Sequence, residues 1–88
     1  MDLNDLRGQI DALDQQLLAL FEQRMEIAAR IGQYKKSQNL PVLNAAREQQ
    51  IIAKIHAAAQ PELADYAADF FTSLFKISRA YQETILSS

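Results

Sequence analysis

The 88-residue sequence contains no cysteine, one histidine, two glycines and two prolines. Without cysteine there are no disulfides and no thiolate metal sites, and His56 alone cannot build most imidazole-based zinc sites. No uninterrupted apolar run approaches the length of a membrane span, and the N-terminus lacks the basic start and apolar core of a signal peptide. We therefore expect a cytoplasmic protein that binds no metal and does not contact a membrane.

Charge and length narrow the class of protein further. Nine basic and eleven acidic residues give a net charge of −2, which offers no electrostatic footprint for DNA or RNA. A chain this short buries only about 60–65% of the surface that it exposes when unfolded. With half of its residues apolar and few breakers, the composition predicts one all-helical domain over residues 1–88 whose thin core dimerisation would extend.

A heptad pattern of apolar residues runs from Leu3 to Tyr34 and predicts a first helix over about residues 3–38. Asn44 is a good cap for a short second helix to about residue 58, and Pro61 precedes a third helix over about 62–86. The first helix would be over about 50 Å long, so a second copy must pack along it. The expected inward stripe of the third helix consists of Leu63, Tyr66, Phe70, Leu74, Ile77, Tyr81 and Ile85.

Arg24 occupies a heptad position where an apolar residue is expected. Burying an unpaired guanidinium is costly, and no carboxylate in the first helix is well placed to pair with it. Lys35 lies on the same face three turns later, about 16 Å along the axis. The two cations therefore predict a small dianionic ligand between them.

Arg7 lies about 25 Å before Arg24 and cannot reach that ligand within its own chain. If two copies of the helix pair antiparallel about a two-fold axis near residues 17–21, Arg7 of the partner subunit meets Lys35. The expected architecture is therefore an intertwined antiparallel homodimer of three-helix chains. The two copies would share their ligand sites.

Three further polar residues lie on inner helix faces: Glu48 in the second helix, and Ser78 and Gln82 in the third. Taken singly, each has a structural explanation. Ser78 could bond its own helix backbone, and Glu48 could favour the helix N-terminus. The common spacing of these residues and the cations favours a shared site.

These positions resemble the all-helical chorismate mutases, and in particular the mutase domain of bacterial bifunctional enzymes. The matching segments are LRGQIDALD (6–14), LLALFEQR (17–24), IGQYK (31–35), PV (41–42) and RE (47–48), with Phe71, Ser78 and Gln82 at the expected spacing. The resemblance implies a concerted rearrangement of chorismate to prephenate with no covalent enzyme intermediate and no cofactor. Fused relatives carry a dehydratase or dehydrogenase domain, and we expect this chain to act as a stand-alone domain.

The resemblance also implies roles for the two carboxylates of the substrate. Arg24 and Ser78 would hold the ring carboxylate. Lys35 and Arg7 of the partner subunit would hold the enolpyruvyl carboxylate. These contacts would select the folded, diaxial conformer of the substrate.

The remaining implied roles concern the ether oxygen and the ring hydroxyl. Lys35 and Gln82 would donate hydrogen bonds to the ether oxygen, which gains negative charge in the transition state. Glu48 would bind the ring hydroxyl together with the backbone at Arg47. Asn44 stands where the family often has an aspartate that reaches the same hydroxyl, so we expect weaker binding there.

Arg79 is a second departure, because the family usually has an apolar residue next to Ser78; we expect it at the mouth of the site. Two alternative functions stay open at this point. One is an isochorismate-pyruvate lyase on the same fold, against which Glu48 argues because it would meet the hydroxyl of chorismate. The other is a non-catalytic helical dimerisation module.

Overall fold

The computed structural model describes all 88 residues and contains three α-helices and no β-strand. Helix α1 spans Leu3–Gln38, α2 spans Ala45–Ala58 and α3 spans Ala64–Leu86. The all-helical, three-helix architecture predicted from the sequence is thereby confirmed. The third helix begins two residues later than expected, because Pro61–Leu63 forms a 3-10 turn before it.

Both ends of α1 are closed by the residues around them. Asp2 and Asp5 form a capping box, in which each side chain accepts a hydrogen bond from the backbone N–H of the other. At the other end Asn39 adopts the left-handed conformation, with φ of 59°, which a short polar side chain tolerates better than most. Pro41 then prevents the chain from resuming the helix.

The three helices lie in a thin, elongated arrangement in which α3 packs against both α1 and α2. The protomer measures 54 × 27 × 14 Å, and its radius of gyration of 16.1 Å exceeds the roughly 12 Å expected for a compact chain of this length. Only eight residues are buried. They are Ala28, Gly32, Val42, Ala64, Leu74, Phe75, Ser78 and Gln82.

The N-terminal half of α1 has no cover within the protomer. Every residue from 1 to 20 is exposed, although the apolar side chains of the heptad lie there; Leu13, for example, is 61% exposed. The buried residues of α1, Ala28 and Gly32, both lie in its C-terminal half.

The expected inward stripe of α3 is wrong in most of its members for the single protomer. Leu74 is buried, but Leu63, Tyr66, Phe70, Ile77 and Tyr81 are exposed, Tyr66 by 73%. The face that packs on the protomer is the neighbouring stripe of Phe71, Phe75, Ser78 and Gln82. α3 carries two adjacent apolar stripes, and hydrophobic spacing alone does not say which one a short chain covers with its own residues.

None of the helices combines the length and the apolar character needed to cross a membrane. No group of three or more histidine, aspartate or glutamate side chains is placed to share a metal ion.

Candidate active site

A pocket of about 400 Å³ lies between the C-terminal half of α1, the first turns of α2 and the C-terminal half of α3. Seven of the eight residues singled out in the sequence line it. They are Arg24, Lys35, Asn44, Arg47, Glu48, Ser78 and Gln82. Arg79 and apolar side chains from the three helices and the loop before α2, such as Ile27, Ile51 and Phe75, form the rest of its wall. The pocket is therefore an apolar recess with several polar groups directed to one space, which is typical of a small-molecule site.

Lys35 is held at the end of α1 by the loop that follows. Its ammonium Nζ donates a hydrogen bond of 2.6 Å to the backbone carbonyl of Val42, whose side chain is buried. An ammonium group has three N–H donors, so two remain for a ligand. The contact fixes a flexible side chain in place before any ligand binds.

Arg24 lies half-buried beside α3. Its guanidinium carbon sits 5.5 Å from the centre of the Phe75 ring, a cation–π arrangement. No protein carboxylate forms an ion pair with Arg24; the three ion pairs of the structure involve other residues. The guanidinium donors therefore stay available to an anion in the pocket.

Glu48 and Arg79 form an ion pair across the pocket. Arg79 Nη1 donates to Glu48 Oε1 at 2.5 Å, and the two side chains are only 32% and 25% exposed. Glu48 is the one acidic residue among the pocket-lining side chains. Its second oxygen, Oε2, has no hydrogen-bond partner within the protein.

Asn44 caps α2 with its side chain. The Oδ1 atom accepts a hydrogen bond of 3.1 Å from the backbone N–H of Arg47. This bond fixes the first turn of α2, and so the direction in which Glu48 leaves the helix. The N–H of Arg47 is engaged in this cap, while the Arg47 side chain is exposed at the pocket edge.

Ser78 and Gln82 lie one turn apart on α3 and are both buried. The Oε1 atom of Gln82 is buried with no hydrogen-bond partner, and buried polar atoms are seldom left so. Gly32 of α1 makes room for this side chain: a Cβ at Gly32 would lie 3.4 Å from Gln82 Cγ. Gly32 and Gln82 thus mark a close approach of α1 and α3, in which an added Cβ would lie in van der Waals contact with Gln82.

Arg7 is the one candidate that the protomer does not bring to the pocket. It is exposed on the uncovered half of α1 and is not among the lining residues. The expectation that Arg7 cannot reach this pocket within its own chain is met. Its action on the site of a second copy stays a prediction.

Three features of the site were not predicted from the sequence: the contact with Phe75, the acceptor role of the Val42 carbonyl, and the ion pair of Arg79. Phe75 was overlooked, although it lies three residues before Ser78 and seven before Gln82 and so shares their helix face. The acceptor role of the Val42 carbonyl depends on the path of the loop, for which the sequence gives no signal. Arg79 was expected at the mouth of the site, but its pairing with Glu48, 31 residues away, was not.

Comparison with known proteins matches this chain to a family. The model described as "Chorismate mutase type II" matches residues 6–83. The chain belongs to this family. The match includes all eight candidate residues, from Arg7 to Gln82. The resemblance read from the sequence is thereby confirmed.

Three relatives are similar to this chorismate mutase family member over more than half of its length. It is 41% identical over 54 residues to the "Bifunctional chorismate mutase/prephenate dehydratase" of Aquifex aeolicus, covering 61% of this chain and 15% of that protein. It is 35% identical over 75 residues to the "T-protein" of Haemophilus influenzae, covering 84% and 19%. The "4-amino-4-deoxychorismate mutase" of Streptomyces pristinaespiralis is 37% identical over 67 residues, covering 76% and 49%.

This chain spans less than half of the length of each of these curated relatives. The family and the relatives' names support an isomerase, a chorismate mutase, as the sequence led us to expect. They do not favour the lyase or the non-catalytic dimerisation module.

Proposed function

We propose that this chain rearranges chorismate to prephenate, in a pocket that a second copy of the chain completes. The observation that carries the proposal is the convergence of Arg24, Lys35, Ser78 and Gln82 on one pocket of about 400 Å³. Two of these groups are cations without a protein carboxylate partner. A small dicarboxylate is the ligand that such a site fits best.

The reaction requires conformational selection and electrostatic stabilisation more than proton transfer. In the concerted shift the ether C–O bond breaks as a C–C bond forms, and the enzyme forms no covalent intermediate. Donors fixed in advance around the reacting atoms can stabilise the developing charge without reorganising. The Val42 carbonyl that holds Lys35 and the packing that buries Gln82 supply this kind of rigidity.

The two carboxylates of the substrate meet different cations in this proposal. Arg24, with Ser78 opposite on α3, binds the ring carboxylate. Lys35, with Arg7 of the partner subunit, binds the enolpyruvyl carboxylate. Both contacts hold the substrate in its folded conformer, in which the atoms that form the new bond are close.

Lys35 and Gln82 act on the ether oxygen in this proposal. This oxygen gains negative charge as the C–O bond breaks, and both side chains can donate to it. Gln82 would donate through its amide Nε2, and its side chain is buried in the pocket wall. Its unpartnered Oε1 is an acceptor and is not what the ether oxygen would engage.

Glu48 receives the ring hydroxyl in this proposal. Its Oε1 is engaged by Arg79, which leaves Oε2 to accept the hydroxyl hydrogen. The backbone at Arg47 and the side chain of Asn44 act mainly through the cap that orients Glu48. The site residues that we assign are Arg7, Arg24, Lys35, Asn44, Arg47, Glu48, Ser78 and Gln82.

The surface of the protomer supports a second copy as the partner. Its accessible area is 6884 Å², about 1,700 Å² above the roughly 5,200 Å² typical of a folded monomer of this mass. The excess surface area lies where apolar side chains are exposed. These are the heptad residues of α1 and the stripe of Tyr66, Phe70, Ile77 and Tyr81 on α3. An antiparallel copy of α1 laid on its own heptad would cover both and would bring Arg7 to the other pocket.

Two neighbouring activities differ from this proposal in the substrate. An isochorismate-pyruvate lyase would release pyruvate from isochorismate with a similar cationic pocket. A mutase like the Streptomyces relative acts, by its name, on 4-amino-4-deoxychorismate, in which an amino group stands at ring position 4. We assign the hydroxyl compound because Arg79 already pairs with Glu48, so that the remaining Oε2 suits a neutral hydroxyl better than an ammonium group.

The experiment is a continuous absorbance assay of chorismate loss, with prephenate identified as the product. We expect the wild-type protein to convert chorismate, and Gln82→Ala to lose about 10²- to 10³-fold in kcat/KM. Gln50→Ala, which changes an exposed glutamine of α2 outside the pocket, should retain the activity. No loss of chorismate, or salicylate formed from isochorismate instead, would contradict the proposal.

A further inference from the structure

The Arg79–Glu48 ion pair changes what the pocket can accept at the position of the ring hydroxyl. We propose that Arg79 is a specificity-determining residue that, through Glu48, selects a neutral hydroxyl donor and rejects a substrate with an ammonium group at that position. This inference rests on the proposed function, because it assigns Glu48 to the ring hydroxyl.

The charge around Glu48 would favour a cationic ligand group if Arg79 were absent. Its carboxylate is the only acidic group that lines the pocket, and Asn44 beside it on α2 is neutral. Without Arg79 this lone, largely buried carboxylate would attract a cationic group of the ligand. Opposite charges at hydrogen-bond distance attract strongly away from bulk water.

The ion pair between Arg79 and Glu48 opposes an ammonium group at this position. Arg79 Nη1 lies 2.5 Å from Glu48 Oε1, with both side chains less than one-third exposed. Bringing an ammonium group to Oε2 would place it within a few ångströms of the Arg79 guanidinium. Like charges so close repel each other, whereas a hydroxyl donates one hydrogen bond and brings no charge.

The charges of the whole pocket also favour a ligand without a cationic group. Arg24, Lys35, Arg47 and Arg79 line it against Glu48 alone. Such a surplus of positive charge suits a ligand with two carboxylates and no cation. A ligand with an added ammonium group carries one negative charge less and gains less from the same field.

The test compares chorismate with its 4-amino analogue, whose amino group is an ammonium at neutral pH. For the wild-type protein we expect kcat/KM to favour chorismate. Arg79→Leu should lower the ratio of the two kcat/KM values about 10- to 100-fold, mainly through a lower KM for the analogue. Arg79→Lys, which keeps the charge, should retain most of the preference.

Two further variants separate a specificity role from a structural one. Lys76→Leu removes a positive charge from an exposed position of the same helix, outside the pocket, and should leave the ratio unchanged. In the Arg79→Leu background, Glu48→Gln should raise the ratio again, because the ammonium group then loses the carboxylate that attracts it. A loss of folding alone would lower both activities and not their ratio.

The outcomes distinguish this inference from the proposed function. If the wild-type protein consumes neither compound, the proposed function fails and the inference fails with it. If it consumes chorismate but Arg79→Leu leaves the ratio unchanged, only the inference is overturned. An Arg79→Leu, Glu48→Gln protein whose ratio stays as low as that of Arg79→Leu would also overturn it, because the carboxylate of Glu48 would then play no part.

Discussion

The ammonium group of Lys35 donates a hydrogen bond to the carbonyl oxygen of Val42, seven residues later. The bond joins the last turn of α1 to the loop before α2. It holds the Lys35 side chain, which would otherwise sample many rotamers, in one orientation toward the pocket. The loop between α1 and α2 therefore contributes to the site through the backbone carbonyl of Val42. Its only assigned side chain is that of Asn44, the residue before α2.

Replacing Lys35 with alanine should lower kcat/KM on chorismate about 10²- to 10³-fold, because the ether oxygen and one carboxylate lose a charged donor. The measurement is steady-state kinetics. Lys36→Ala, which changes the adjacent exposed lysine outside the pocket, is the matched control and should stay within about threefold of the wild type. Equal effects in both variants would remove Lys35 from the account.

Replacing Arg24 with methionine should abolish turnover and raise the free energy of unfolding by about 1 kcal/mol. Arg24 lies in an apolar seam without a carboxylate partner, and the contact with Phe75 returns only about 0.5–1 kcal/mol. Urea unfolding at one fixed protein concentration, together with the chorismate assay, measures both effects.

Arg30→Met is the control for Arg24→Met, since it breaks an exposed ion pair of 3.3 Å with Glu26. Such pairs contribute little, so stability and activity should both stay close to the wild type. An Arg24→Met protein that keeps its turnover would contradict the anion site. One that loses several kcal/mol of stability would show a structural role instead.

Replacing Gly32 with alanine should lower kcat only slightly, by about threefold at most, because the new methyl group would meet Gln82 in van der Waals contact and press on it lightly. The added Cβ would lie 3.4 Å from Gln82 Cγ. Gly8→Ala adds the same methyl group to the same helix where nothing lies within 4 Å in the protomer. If the two variants have the same kcat, the close approach at Gly32 does not position Gln82.

Replacing Asn44 with alanine should lower the free energy of unfolding by about 1 kcal/mol, because the first turn of α2 loses its cap. The loss should also raise KM, since the cap orients Glu48. Asn44→Asp keeps the acceptor and should preserve both stability and KM. Chemical denaturation and steady-state kinetics test the pair; an alanine variant as stable as the aspartate variant would argue against the cap.

Local rules predicted much of this fold. The heptad of α1 and the cap at Asn44 both depend on residues within a few positions of each other. Arg24 could be singled out as a candidate site residue for the same reason, because a charge in an apolar seam conflicts with the local pattern. Each of these features carries its physical cause in its own sequence neighbourhood.

The remaining features depend on contacts between distant segments. The pairing of Arg79 with Glu48 joins two helices, and the bond from Lys35 to Val42 depends on the course of a loop. The stripe of α3 that contains Tyr66 and Ile77 was expected inward but is exposed in the single protomer, which covers the equally apolar neighbouring stripe instead. Which stripe is covered depends on what else packs there, and hydrophobic spacing does not contain that information.

We propose that two copies of the chain share each active site. Mixing two inactive variants tests this sharing most directly. Arg7→Ala and Lys35→Ala, unfolded together in urea and refolded as a mixture, should form mixed dimers in which one site carries neither change. With random pairing the mixture should regain about one quarter of the wild-type activity on chorismate. Each variant refolded alone should stay inactive. A mixture no more active than its two components would contradict the shared site.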